Sequence, residues 1–242
     1  MDATPARTSS EQSVLVDTGR VTLPGDLVMP GGSGGIVLFA HGSGSSRFSP
    51  RNRFVARVLQ DAGLATLLID LLTPEEEEID IRTAQLRFDI ELLAERLAGA
   101  IDWLKQQPAT RHLNIGLFGA STGAGAALVA AATRPEAVAA VVSRGGRPDL
   151  AGRYLSQVKA PTLLIVGGND VPVIGLNRQA LQLMRAETQL VIVPGASHLF
   201  EEPGTLEEVA RLARDWFLRY LTHSTQSPPL QDGIHNHTGY EP

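Results

Sequence analysis

Short runs of apolar residues alternate along this chain with longer stretches in which apolar residues recur every three or four positions. The short runs occupy residues 13–17, 21–28, 36–40, 66–70, 115–118, 138–143, 162–166 and 189–193. From residue 36 onward they consist mostly of Val, Ile, Leu, Ala and Phe, a content typical of strands that are buried on both faces. The pattern predicts an α/β fold with a mostly parallel, eight-stranded sheet and helices on both faces.

Three of the helices between these strands have recognisable boundaries or periodicity. Ser49, followed by Pro, is the expected cap of a helix that extends over residues 50–61. Apolar residues at three- and four-residue spacing predict an amphipathic helix over residues 86–104. Thr205 and Glu208 have the spacing of a capping box at the start of a last helix.

The pattern places a single domain at residues 13–222 of the 242-residue chain. Residues 1–12 and 223–242 are polar, and we expect both segments to be disordered. The four glutamates at 75–78 are expected to form a solvated helix start, where carboxylates suit the helix dipole. We find no internal repeat and no second domain.

Composition excludes several function classes. The net charge is −5 and Lys and Arg form no stripe, so a nucleic-acid partner is not expected. The chain has no Cys, which excludes disulfides, a thiol nucleophile and thiolate metal sites. No apolar run is long enough to span a bilayer and residues 1–12 lack a signal-peptide pattern, so we expect a cytoplasmic protein without a membrane partner.

The most informative motif is Gly119-Ala120-Ser121-Thr122-Gly123, which lies between a predicted strand and a predicted helix. A Gly-x-Ser-x-Gly in this context is a nucleophile elbow, a tight turn that exposes the serine hydroxyl at the edge of the sheet. The motif predicts acyl transfer to Ser121 and then to water.

Serine needs a base to remove its proton, and two later segments offer the partners. Asp170 and His198 each follow a predicted strand, so they fall at the same sheet edge as Ser121. In the predicted triad His198 is the general base and Asp170 orients its ring. Asp170 has an alternative role as a helix cap, in which case Asp149 is the substitute acid.

A fourth segment, His41-Gly42-Ser43-Gly44, follows the third predicted strand. Backbone N–H groups at such a turn can point at a developing oxyanion. We expect the N–H groups of Ser43 and Thr122 to form the oxyanion hole, with His41 bracing the loop or contacting substrate.

These four segments resemble the α/β-hydrolases of the dienelactone-hydrolase-like group, over about residues 14–221. They are similar to bacterial serine hydrolases that are sometimes joined to a phosphoribosyltransferase domain, which this sequence lacks. The founding dienelactone hydrolases use a cysteine nucleophile, whereas Ser121 occupies that position here. The resemblance therefore implies hydrolysis of plain esters or thioesters rather than of dienelactone.

Three arginines that follow predicted strands, Arg47, Arg144 and Arg147, are candidates for binding a substrate carboxylate, and Arg144 is preferred because it directly follows a core strand. Ion pairs within the protein are the alternative role for all three, and the acidic residues 75–78 would oppose an anionic substrate. His235 and His237 have no third ligand nearby in sequence, so no metal or other cofactor is expected.

Residues 144–160 separate the sixth predicted strand from the seventh, too few for a cap domain. This predicts an open pocket and broad activity on small, short-chain esters by a monomer or homodimer. Acyl transfer to another acceptor and cleavage of lactones or amides remain alternatives. A non-catalytic receptor on the same fold, or the partner of a separate phosphoribosyltransferase, are further ones.

Overall fold

A computed structural model describes residues 11–222, and an eight-stranded sheet lies at its centre. The strands are β1 (Glu11–Asp17), β2 (Thr22–Val28), β3 (Gly35–Ala40), β4 (Ala65–Ile69), β5 (Asn114–Ala120), β6 (Val138–Arg144), β7 (Thr162–Gly167) and β8 (Thr188–Val193). Their order is β1-β2-β4-β3-β5-β6-β7-β8, and β2 runs antiparallel to both of its neighbours. The predicted mostly parallel sheet is confirmed. The disorder expected at 1–12 is wrong for Glu11 and Gln12, which pair with β2 as the start of β1, and the rest of the disorder expected at 1–12 and 223–242 lies outside the described residues.

Helices cover both faces of the sheet. They are α1 (Pro50–Asp61), α2 (Pro74–Thr83), α3 (Ile90–Gln106), α4 (Thr122–Thr133), α5 (Val171–Leu183) and α6 (Thr205–Leu221). Apolar residues of α1 and α6 share one buried cluster with the sheet, and those of α3, α4 and α5 share a second. Two apolar layers on one sheet explain why most of its strands lack the polar alternation of a solvated face.

The periodic stretch 86–104 is not one helix, contrary to the prediction. Leu86–Phe88 forms a separate 3-10 turn, and α3 begins only at Ile90. The side chain of Asp89 accepts a hydrogen bond from the backbone N–H of Leu92 at 3.0 Å, which caps α3 at this point.

The capping box predicted at Thr205 and Glu208 is also wrong. Gly204 is the N-cap of α6 with a φ of 82°, and the Thr205 hydroxyl donates to the Glu202 carbonyl at 2.7 Å. Glu208 pairs with Arg211 instead, at 2.7 Å. A capping box does form at α2, where Thr73 and Glu76 bond reciprocally.

The connection from β6 to β7 leaves the site uncovered. It consists of Pro148–Gln157, a 3-10 segment kinked at Gly152, so no cap domain is evident in the described residues. The glutamates at 75–77 lie in the first turn of α2, as predicted. Within residues 11–222, no helix is both long enough and apolar enough to cross a bilayer.

Candidate active site

Ser121 lies in a strained turn between β5 and α4. Its φ is +49°, a value that residues other than glycine rarely adopt and that tends to mark functional sites. A Cβ at Gly119 would lie 2.4 Å from the Cα of Ala124, and one at Gly123 would lie 2.4 Å from the His41 carbonyl oxygen. Both glycines of the motif are therefore required for the strand, turn and helix to pack this closely.

Asp170 and His198 are in direct contact at the same edge of the sheet. His198 Nδ1 lies 2.6 Å from Asp170 Oδ2, and the Asp170 side chain is only 12% exposed. Although Asp170 is the first residue before α5, its side chain makes no capping hydrogen bond. The alternative acid, Asp149, forms a two-point ion pair with Arg147 at 2.7 and 2.8 Å. The geometry thus favours Asp170 over Asp149 as the partner of the imidazole.

Two side chains that the sequence reasoning missed hold the loops of this pair together. The Asn169 amide donates to the Gly195 carbonyl at 2.8 Å, and the Glu202 carboxylate accepts the backbone N–H of Ser197 at 3.0 Å. The bond from the Ser197 N–H lowers the pKa of Glu202. Asn169 directly precedes Asp170 and Glu202 follows His198 by four positions, and this proximity in sequence is the signal that could have identified them.

Ser121 and His198 line one cleft of about 240 Å³, an open space at the carboxyl edge of the sheet. The Ser121 hydroxyl is not hydrogen-bonded to the His198 ring within the described residues. Such contacts are often long before substrate binds and tighten in the complex. The remaining lining residues are Gly42, Ser43, Ser45, Ser49, Arg51, Asn52, Ala120, Arg144 and Leu199.

The two expected oxyanion donors lie next to each other, but one has a partner. The backbone N–H of Ser43 donates to the hydroxyl of Thr122 at 2.9 Å. Thr122 is buried at the start of α4, directly after Ser121. For Ser43 to hold an oxyanion, its N–H must exchange the threonine hydroxyl for substrate.

His41 is engaged with the backbone through both ring nitrogens. Nδ1 lies 3.0 Å from the Gly42 carbonyl, and Nε2 accepts the N–H of Leu71 at 3.1 Å. Burial lowers the pKa of His41, although hydrogen bonding to Gly42 and the charges of Asp70 and Glu77 oppose that effect. A neutral ring with its proton on Nδ1 satisfies both contacts and ties the loop after β3 to the loop after β4.

Arg47, a candidate for substrate binding, is paired inside the protein. Its guanidinium forms a salt bridge with Asp70 and lies 3.6 Å from Asp26, and its backbone N–H also bonds to Asp70. It does not line the cleft that contains Ser121. The alternative role, an internal ion pair, accounts for its placement.

Unlike Arg47, Arg144 lines the cleft that contains Ser121 and forms no salt bridge within residues 11–222. It is the last residue of β6, it lines the cleft, and it is only 7% exposed. Its backbone carbonyl accepts the N–H of Ser121 at 3.2 Å, so the two residues are neighbours. Burial, followed by the charge of Arg51, lowers the pKa of Arg144 to about 10.

A strained serine between strand and helix, with an acid and a histidine at the same sheet edge, defines an α/β-hydrolase fold. Residues 27–223 match the family model described as the dienelactone hydrolase family. The chain belongs to this family.

One solved structure and two relatives are similar to this chain. A dienelactone hydrolase from Anabaena variabilis, whose crystal structure is known, is 68% identical in sequence to this chain. Its structure matches this one with a TM-score of 0.87, over 88% of this chain and 99% of that one. A putative phosphoribosyl transferase of Mycobacterium tuberculosis is 60% identical over 87% of this chain and 47% of its own length. A probable 2-oxo-3-(5-oxofuran-2-ylidene)propanoate lactonase from Bradyrhizobium is 30% identical over 61% of this chain and 66% of its own length. The chain thus spans about half the length of the mycobacterial relative.

Proposed function

We propose that this protein is a serine hydrolase that cleaves carboxylic esters or thioesters of small substrates through an acyl-enzyme intermediate. The observation that carries the proposal is the 2.6 Å contact between His198 Nδ1 and Asp170 Oδ2, beside the strained Ser121 that lines the same cleft. Serine, carboxylate and histidine, in this chain order, form the triad of α/β-hydrolases.

In the proposed reaction, Ser121 Oγ attacks the acyl carbon while His198 Nε2 takes its proton. Asp170 keeps the ring in the tautomer with the proton on Nδ1 and stabilises the imidazolium that forms. The backbone N–H groups of Thr122 and Ser43 hold the oxyanion, and His198 then protonates the leaving group. Water, deprotonated by His198, attacks the acyl-enzyme and releases the acid.

The open cleft supports small substrates. Because the segment between β6 and β7 forms no cap, nothing in the described residues encloses a long acyl chain. We therefore propose a preference for short-chain esters. The shared region with the mycobacterial relative is the part that matches a hydrolase model, so we propose hydrolysis rather than phosphoribosyl transfer for it.

A lactonase is the second candidate. The Bradyrhizobium relative is named as a lactonase, and the same triad opens a cyclic ester by the same steps. A lactone differs from an open-chain ester in that its leaving group stays attached to the acyl-enzyme.

The proposal is tested by turnover of 4-nitrophenyl acetate, butyrate, octanoate and palmitate, and of the lactone dihydrocoumarin. We expect Ser121→Ala to abolish turnover and the exposed Ser156→Ala to retain it. Turnover of dihydrocoumarin well above that of all open-chain esters would favour the lactonase. Activity of Ser121→Ala equal to that of the wild type would refute a serine nucleophile at this position.

A further inference from the structure

Arg144 is a buried cation that meets no counter-charge in the part of the chain that the structure describes. Its Nη1 atom is inaccessible to solvent and has no hydrogen-bond partner in the described residues. No carboxylate within residues 11–222 forms a salt bridge with it, and the one charge that shifts its pKa, besides burial, is the like charge of Arg51. An unpaired buried charge is expensive, so its presence calls for an explanation.

A second buried arginine in the same chain, Arg96, is paired with a carboxylate. Arg96 is 4% exposed, and its guanidinium lies 2.8 Å from the Glu76 carboxylate. Arg144 is buried to a similar extent but faces the cleft with Ser121 and His198 instead of an acid. No acid within residues 11–222 does for Arg144 what Glu76 does for Arg96.

Further features make this end of the cleft positive. Arg51 lines it as well, and its only ion pair within residues 11–222, to the exposed Glu201, is long at 3.5 Å. The N-cap of α1, Ser49, and its first residue, Pro50, are neutral, and the first turn of this helix contains no acidic residue. The positive end of the helix dipole at α1 is therefore not offset by a carboxylate. By contrast, α2 carries three glutamates in its first turn.

The turn after Arg144 packs against the loop that carries His198. Gly145 has a φ of +50°, and a Cβ there would lie 3.1 Å from the His198 carbonyl oxygen and 3.6 Å from the ring atom Cε1. Its N–H donates to the Ile165 carbonyl of β7 at 2.8 Å. The backbone that carries Arg144 is thereby packed against the backbone that carries His198.

We propose that Arg144 and Arg51 form a binding subsite for an oxyanion beside Ser121, and that the substrate carries a carboxylate or phosphate group next to its scissile ester. This inference rests on the proposed hydrolase function and narrows its substrate class. A planar guanidinium pairs with either group through two parallel hydrogen bonds. Glu201 is the competing carboxylate and is displaced from Arg51 when substrate binds.

Matched pairs of charged and neutral esters test the subsite. Mono(4-nitrophenyl) adipate against 4-nitrophenyl hexanoate places the anion on the acyl side, and 4-acetoxybenzoate against 4-acetoxybenzamide places it on the leaving group. A charge-assisted contact predicts that kcat/KM favours the anionic member of at least one pair by about 10- to 100-fold. The ratio is expected to fall to near one in Arg144→Gln, to an intermediate value in Arg144→Lys, and by several-fold in Arg51→Gln. Arg153→Gln, which alters an exposed arginine outside the cleft, is the control that retains the wild-type ratio.

A second measurement does not depend on turnover. We expect inorganic phosphate or succinate to raise the melting temperature of the wild type and of Arg153→Gln but not that of Arg144→Gln or Arg51→Gln, and the more effective anion identifies the group. A ratio near one in both ester pairs with active neutral esters would overturn the subsite and leave the hydrolase standing. If no ester is turned over, the hydrolase fails, and the melting shift alone then supports or overturns the subsite.

Discussion

Asp170 occupies the N-cap position of α5, yet its carboxylate contacts the His198 ring at 2.6 Å and makes no capping hydrogen bond. A carboxylate in this position usually satisfies the free N–H groups of its own helix. The side chain is instead directed at a histidine on a neighbouring loop. This contact places a carboxylate–histidine pair at the carboxyl edge of the sheet.

The first prediction follows from that contact. Asp170→Asn preserves the shape of the side chain but removes the charge that holds the His198 proton on Nδ1, so we expect kcat to fall by about 10³- to 10⁴-fold. Asp149→Asn, which removes the charge paired with Arg147, is the matched control and is expected to stay close to wild type. Steady-state hydrolysis of 4-nitrophenyl butyrate measures both. Equal losses in the two variants would contradict the assignment of Asp170.

The hydrogen bond from the Ser43 N–H to the Thr122 hydroxyl yields a second prediction. Thr122→Val keeps the volume of the side chain but frees the Ser43 N–H for the oxyanion, so we expect kcat/KM to change by less than about threefold, well below the loss for a missing oxyanion donor. Thr110→Val, at a buried threonine away from the cleft, controls for the effect of removing a hydroxyl. A loss of about 100-fold or more in Thr122→Val alone, the size that a missing oxyanion donor produces, would show that the hydroxyl itself contributes to the reaction.

A third prediction concerns the cost of Arg144 to stability. Because its charge is buried and meets no counter-charge among the described residues, Arg144→Met is expected to raise the free energy of unfolding by about 1–3 kcal/mol. Arg96→Met removes a buried arginine that is paired with Glu76 and is expected to lower stability by a similar amount, because it strands a carboxylate. Urea denaturation of both variants gives the values. Destabilisation of Arg144→Met to the same degree as Arg96→Met would contradict the absence of a counter-charge.

The buried ring of His41 predicts a pH dependence of stability. Its pKa in the folded protein is lowered from the ordinary 6.5, mainly by burial, so the unfolded chain takes up a proton that the folded chain resists. The contribution of His41 is therefore complete above pH 6.5 and is lost as the pH falls below it. We expect His41→Gln to lose less free energy of unfolding than the wild type between pH 7 and pH 5, a range chosen to bracket the ordinary histidine pKa. Parallel pH profiles for the two proteins would contradict this account.

The sheet and the positions of Ser121, Asp170 and His198 relative to it could be predicted from the sequence. Each of the three residues follows an apolar run, and the carboxyl ends of parallel strands meet at one edge of a sheet. The order of the strands in the sheet and the pairing of individual side chains are not encoded in such local patterns. The sequence therefore located the site, and the structure supplied its contacts.

Two comparisons show why the capping boxes and the roles of the arginines could not be predicted from the sequence. Thr73–Glu76 and Thr205–Glu208 have the same spacing, but a capping box forms only at the first pair, because Glu208 is bound to Arg211 and Gly204 caps the helix. Arg47 and Arg144 both follow strands, but Arg47 meets Asp70 and Asp26, which come from β4's end and from β2. In each case a partner distant in sequence, or the conformation of a neighbouring glycine, decides the outcome.

Arg51 illustrates a residue that the sequence offered no reason to select. It lies within the first turn of α1, where an arginine usually marks a surface position. It reaches the cleft because the loop after β3 directs the start of α1 toward the sheet edge that holds Ser121. A search for charged residues at helix starts that follow such loops would have included it.

Covalent labelling shows whether Ser121 is a nucleophile. We would treat the protein with a fluorophosphonate, measure the intact mass, and map the modified residue by peptide mass spectrometry, with Ser121→Ala and Ser156→Ala in parallel. We expect one adduct per chain on Ser121, retained in Ser156→Ala and absent from Ser121→Ala. Folded wild-type protein that remains unlabelled, or that is labelled at another residue, would contradict it.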